Sequence, residues 1–131
     1  MQLGEKQLLK VVKKVEFGVY LGEEDSEERV LLPIKQVPEN IQVGDGLEVF
    51  LYKDSKDRLI ATTREPAVTL GQIAKLPVKE VTKIGAFLDW GLEKDLFLPF
   101  KQQTHRVHPG EECLVGLYTD KSGRLCATMN V

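Results

Sequence analysis

The sequence predicts an all-β chain built from two tandem five-stranded barrels joined by a short linker. Three observations predict it: an internal repeat over nearly the whole chain, period-two alternation in short apolar runs, and Gly, Pro and Asp clusters between the runs. Residues 32–63 align without a gap on residues 98–129 at an offset of 66, with 13 identities in 32 positions. Upstream the echo continues at an offset of 67, where Leu9 and Val11 meet Leu76 and Val78, and Gly18 to Leu21 meet Gly85 to Leu88. Two copies of one unit follow, residues 1–64 and 67–131, with Arg64 to Thr69 as a linker stiffened by Pro66.

Each copy reads as five strands. In the first they fall at residues 7–14, 16–21, 29–33, 46–53 and 58–63; in the second, at 74–81, 83–90, 95–99, 112–119 and 124–129. The fourth strands show the pattern best: odd positions of Leu47 to Tyr52 and of Cys113 to Tyr118 share one aliphatic face. Turn chemistry brackets them, with Val43-Gly44-Asp45 and Pro109-Gly110-Glu111 before, and Asp54 to Asp57 and Asp120 to Gly123 after. Between the third and fourth strands lie Pro33 and Pro38, or Pro99 and Pro109, leaving room for a short helical turn at most. Gly18 and Gly85 sit inside second strands, where glycine is unfavourable unless the strand bends sharply. Closing five short strands into a barrel needs that bend and removes exposed sheet edges.

The formal charge of −2 gives no global attraction to a polyanion. Its distribution is uneven: residues 1–65 sum to −3 and residues 66–131 to +1, and five of the first copy's acids crowd into Glu23 to Glu28. Such a run reads as a solvated hairpin end. Cys113 and Cys126 fall opposite Leu47 and Ile60 in the repeat, so they read as reduced packing residues, too far apart along a hairpin for a bridge. The chain has no signal-peptide pattern and no apolar run long enough to span a bilayer, which points to a soluble cytoplasmic protein without membrane contact.

Phe17-Gly18-Val19-Tyr20-Leu21 and Ile84-Gly85-Ala86-Phe87-Leu88 resemble the aromatic-Gly-small-aromatic-aliphatic second strand of the S1-type RNA-binding domain, an oligonucleotide-binding (OB) barrel. The Val43-Gly44-Asp45 turn, the Asp54 to Leu59 hairpin and their counterparts at 109–111 and 120–125 are similar to that domain's later segments. The tandem copies with a Leu-Pro-x-Lys-Gln step resemble the amino-terminal part of the conserved virulence factor B family of bacterial proteins. The S1 resemblance implies that second-strand aromatics stack on unpaired bases and that the hairpin Asp and Arg border the same surface. The positions so implied are Phe17, Tyr20, Asp54 and Arg58 in the first copy, and Ile84, Phe87, Asp120 and Arg124 in the second. A base stacked on an aromatic ring gains about 1–3 kcal/mol with little sequence preference. Where the family usually offers a histidine from its third strand, this chain has Pro33 and Pro99. Lys35 and Lys101 follow those prolines and could touch phosphate instead. Because Ile84 replaces an aromatic, the second copy is expected to bind more weakly.

Plainer readings stand beside these. Phe17 and Tyr20 could be core, the Asp-Arg pairs could be hairpin-closing ion pairs, and Tyr52 and Tyr118 read as inter-strand packing. His105 and His108 lack a convincing third metal ligand, and no Gly-rich phosphate loop, nucleophile elbow or paired-carboxylate cleft is visible. The expectation is therefore a non-catalytic protein without metal or cofactor, binding single-stranded RNA weakly and with little specificity in bacterial RNA or translation regulation. The rival is a protein-interaction or spacer module whose RNA site has been lost. The resemblance also implies a longer parent chain, with a third repeat and a carboxy-terminal winged-helix domain, or a protein partner.

Overall fold

The computed structural model describes residues 1–131, and it contains ten strands, two 3-10 turns and no α-helix. By backbone proximity it divides into two compact units, Met1–Arg64 and Glu65–Val131. The first unit contains β1 (Lys6–Val15), β2 (Gly18–Gly22), β3 (Arg29–Pro33), β4 (Gly46–Lys53) and β5 (Leu59–Thr62). The second contains β6 (Ile73–Val81), β7 (Gly85–Leu88), β8 (Leu96–Pro99), β9 (Glu112–Thr119) and β10 (Leu125–Thr128). The short turns Ile34–Gln36 and Phe100–Gln102 fill the place that the paired prolines leave after the third strand of each unit.

In the first unit the strands close in the order β1-β2-β3-β5-β4, antiparallel except for a parallel β3–β5 contact at Leu31 and Ile60. The second unit repeats the arrangement as a five-stranded, barrel-like sheet of order β10-β9-β6-β7-β8. It differs at one seam. β8 and β10 lie beside each other, but no backbone ladder joins them.

The core is the inward half of each alternation. Val19 and Leu21 from β2, Val30 and Leu32 from β3, and Val49 and Leu51 from β4 meet inside the first unit, all nearly fully buried. Ala86, Leu88, Leu96, Leu98, Val115 and Leu117 are their buried counterparts in the second. Each such Val or Leu side chain contributes about 1.5–3 kcal/mol through burial. Cys113 and Cys126 are free and buried.

Two backbone devices recur in both copies. The long first strand breaks register between Val11 and Lys13, and again between Val78 and Glu80, a bulge that bends it around the barrel. The Gly-Asp turn docks on that bulge: Val11 N–H donates to Asp45 O and Gly44 N–H to Val11 O, and the same pair of bonds links Val78 with Glu111 and Gly110. Gly18 and Gly85, expected inside their strands, instead open β2 and β7, and they mark a close crossing. A Cβ at Gly18 would lie 2.2 Å from Leu32 O, and one at Gly85 would lie 2.6 Å from Leu98 O, both at φ +153. Only glycine lets β2 and β7 pass so near the third strand. In the second unit, Trp90 is buried with Nε1 donating to Lys94 O, and Ala67 N–H donates to Trp90 O, fixing the stretch before β6.

Candidate nucleic-acid interface

With Val19 and Leu21 in the core, the intervening Tyr20 points to the outside of the first barrel, where it is half-buried. Phe17 is 55% exposed and meets Tyr20 edge-on, with ring centroids 6.2 Å apart. Both rings therefore lie on the outer face and leave the core to the aliphatics. In the second copy Phe87 occupies the matching outward position and contacts Phe97 directly across the β7–β8 ladder, with centroids 5.2 Å apart. Ile84, where the first copy has Phe17, is 64% exposed.

Cross-strand register orders these side chains into one row per barrel. In the first it runs Tyr20, Leu31, Ile60, Tyr52 over β2, β3, β5 and β4. In the second, Phe87 faces Phe97 across β7 and β8, and Cys126 faces Tyr118 across β10 and β9. Between the second row's two halves runs the unladdered seam. A groove of about 500 Å³ opens there, lined by Phe97, Pro99, Lys101, Gln102, Tyr118, Asp120, Lys121, Ser122 and Cys126 among others. Tyr52 is buried and stacks on Phe50, whereas Tyr118 is half-buried and walls the groove. Its hydroxyl is raised above the usual tyrosine range mainly by desolvation.

The hairpin acids are turn-builders. Asp54 Oδ1 accepts from the N–H groups of Lys56 and Arg58 at 2.9 and 3.0 Å, and its Oδ2 accepts the Arg58 guanidinium at 3.0 Å. Desolvation pushes this carboxyl up, and the hydrogen bonds from Arg58 and Lys56 outweigh it, leaving it below the usual range. Asp120 Oδ1 accepts from Arg124 N–H, Ser122 N–H and Ser122 Oγ, and these bonds lower it as well, led by the one from Arg124. Arg58 is thus engaged by its own hairpin. Arg124 is exposed, and Asp120 lines the groove.

Lys35 and Lys101 are exposed as the middle residues of their 3-10 turns, and neither enters an ion pair. Each turn is latched to the last strand by the glutamine that follows the lysine. Gln36 Oε1 accepts from Thr62 Oγ1 and from Thr63 N–H, and Gln102 Oε1 accepts from Thr128 Oγ1 and Asn130 Nδ2. The Lys-Gln step of the repeat is the sequence signal of this latch. His105 Nε2 lies 2.8 Å from Glu111 Oε2, and the guanidinium of Arg106 lies over the Phe100 ring at 4.0 Å. The acidic run at 23–28 forms the β2–β3 connection, where Glu23 meets the terminal ammonium and Glu24 pairs with Lys10.

Of the residues expected from the sequence, the structure brings Lys101 and Asp120 to one groove, with Phe87 against its Phe97 wall. It pairs Phe17 with Tyr20 and Asp54 with Arg58. Phe97, Lys121, Gln102 and the groove-facing role of Tyr118 were not legible beforehand. Their signal lies in what the repeat changes: Leu31 becomes Phe97, and Ile60 becomes Cys126.

Known proteins share this architecture. The chain is 33% identical over 96 residues to the protein YitL of Bacillus subtilis, and 25% identical over 95 residues to conserved virulence factor B of Staphylococcus saprophyticus. These matches cover 72% and 70% of the chain but only 32% of each relative, so the chain spans about a third of their length. A crystal structure of a multidomain protein with nucleic acid binding domains from Streptococcus pneumoniae superposes with a TM-score of 0.81 at 22% identity, covering 98% of this chain and 46% of that one. The S1 domain family matches residues 3–64 and again residues 70–130. Two successive S1 domains make up the chain, which belongs to that family.

Proposed function

We propose that the chain is a non-catalytic RNA-binding protein that takes single-stranded RNA weakly and with little sequence preference on the outer faces of its two barrels. The observation that carries this reading is the row of outward aromatics, with Tyr20 and Phe87 set between buried aliphatic neighbours on the same strands. A ring held in that way offers a flat face to any base. Exposed, unpaired Lys35 and Lys101 beside the rows supply phosphate attraction that weakens with salt. Membership of the S1 domain family supports a nucleic-acid ligand, as does the likeness to a pneumococcal protein described as having nucleic acid binding domains. No helix is long and apolar enough to cross a membrane. A role in bacterial RNA or translation control, in the cytoplasm, fits the relatives' organisms.

The test is a titration of the whole chain against labelled homopolymeric RNAs at two salt concentrations. Affinity falls as salt rises, and Tyr20→Ala or Phe87→Ala weakens binding about tenfold without unfolding the protein. The rival reading, a protein-interaction or spacer module, is favoured by the engagement of Arg58 with Asp54 and by proline at residues 33 and 99. It prevails if no RNA binds at low salt and a protein partner is recovered instead.

A further inference from the structure

Building on that RNA-binding reading, we propose that the two barrels are not equivalent and that the β8–β10 seam of the second is a slot for one unstacked nucleobase. The row positions of the two copies coincide, so the difference is local. In the first barrel Leu31 and Ile60 pair across the β3–β5 contact. In the second, the residue opposite Tyr118 is Cys126, smaller by two non-hydrogen atoms than the isoleucine of the first copy, and the backbone ladder is missing. Cys126 forms a buried floor, and the groove above it holds about 500 Å³. That volume lies within the roughly 300–1,000 Å³ range of sites for small organic ligands.

The lining fits a nucleotide better than an apolar ligand or a peptide. Two flat walls, Phe97 and Tyr118, suit a heterocycle, and Phe87 behind Phe97 extends the aromatic surface to a neighbouring base. Lys101 and Lys121 line the groove as exposed ammonium groups outside any ion pair, suited to the phosphates on either side of an inserted base. Ser122 Oγ, held by Asp120, and the Gln102 side chain give polar edges without a rigid donor-acceptor code. The site therefore requires a base but tolerates several. The second copy, expected from Ile84 to be the weaker, becomes the principal site.

The test measures fluorescence anisotropy of the whole chain with a labelled oligouridine of about twelve nucleotides and with an abasic ribose-phosphate strand of equal length. The wild-type chain is expected to bind oligouridine about tenfold more tightly than the abasic strand. Cys126→Ile, which installs the residue that the first barrel already accommodates, should erase most of that preference while leaving abasic binding unchanged. Tyr118→Ala should do the same. A folded Cys126→Ile chain that binds oligouridine as the wild type does would overturn the slot, even if Tyr20→Ala weakens binding and so upholds the general reading. Wild-type protein that binds neither strand overturns both. Should Cys126→Ile fail to fold, amide shifts of the wild-type chain on adding a uridine trinucleotide decide the matter. Changes at Gln102, Ser122 and Cys126 support the slot, and changes confined to residues around Phe17 and Tyr20 refute it.

Discussion

The outward row of the first barrel, Tyr20-Leu31-Ile60-Tyr52, and that of the second, with Phe87 facing Phe97 and Cys126 facing Tyr118, share their register, keep an aromatic at each end and change character at the middle pair. An aliphatic pair accompanies a bridged closure at Leu31 and Ile60; an aromatic and a thiol accompany a seam without a backbone ladder, and a groove. On the proposed reading, copies of one fold divide their labour through two side chains, while the buried scaffold stays nearly constant. The lesson is about where a small barrel can afford change. Inward positions tolerate little, because the core is close-packed, but the outer seam can lose its backbone bridge without altering the order of the strands.

The largest expected effect breaks the shared scaffold. Gly18→Ala places a Cβ 2.2 Å from Leu32 O and should destabilise the first barrel by about 3 kcal/mol, seen as a lower urea midpoint and faster hydrogen exchange in β2. Gly85→Ala should cost less, since its closest backbone approach is 2.6 Å and part of the crowding comes from the Phe97 ring. Next come the hairpin acids. Asp120→Ala removes an acceptor used by two backbone N–H groups and the Ser122 hydroxyl, and should cost about 1.5–2 kcal/mol in chemical unfolding.

The same carboxylates set an acid limit. Asp54 and Asp120 lie below their ordinary value of 3.8 when folded, so their contribution is complete above that pH and disappears as pH falls through the lowered values. Thermal stability should accordingly decline below about pH 4, and Asp54→Asn with Asp120→Asn should flatten the decline. Smaller still is a reciprocal exchange at the seam. Ile60→Cys should cost the first barrel about 1 kcal/mol and raise oligouridine affinity a few-fold if seam width governs base entry. The smallest effect is on thiol chemistry: burial, aided by Asp120, pushes Cys126 up to about 11. At pH 8 little of it is thiolate, so it should react slowly with a thiol reagent.

Most of the scaffold was legible because it is written in local terms. Alternation located every strand to within a few residues. The two glycines were legible as special positions, but as bends inside the second strands, whereas they open those strands at a close crossing with Leu32 O and Leu98 O, and the bulge lies in the first strand. The prolines after the third strands left space for the 3-10 turns. The groove was not legible, because its cause is non-local. Phe97 and Cys126 lie far apart in sequence, and whether two strands join by a ladder depends on side-chain volumes that neither strand's pattern reveals. Tyr118 illustrates this: the same residue type at the same repeat position is buried against Phe50 in one copy, as Tyr52, and walls a groove in the other, where Gly116 replaces that phenylalanine.

The glutamine latch has a mechanical result. Gln102 ties the turn bearing Lys101 to the end of β10, the strand that also carries Cys126, so the backbone beneath the lysine and the floor are joined. A strand of nucleotides would meet a grip whose pitch is set in advance, with little freedom left to freeze at the moment of capture. Severing the latch would leave every touching group in place, yet let the spacing between them drift.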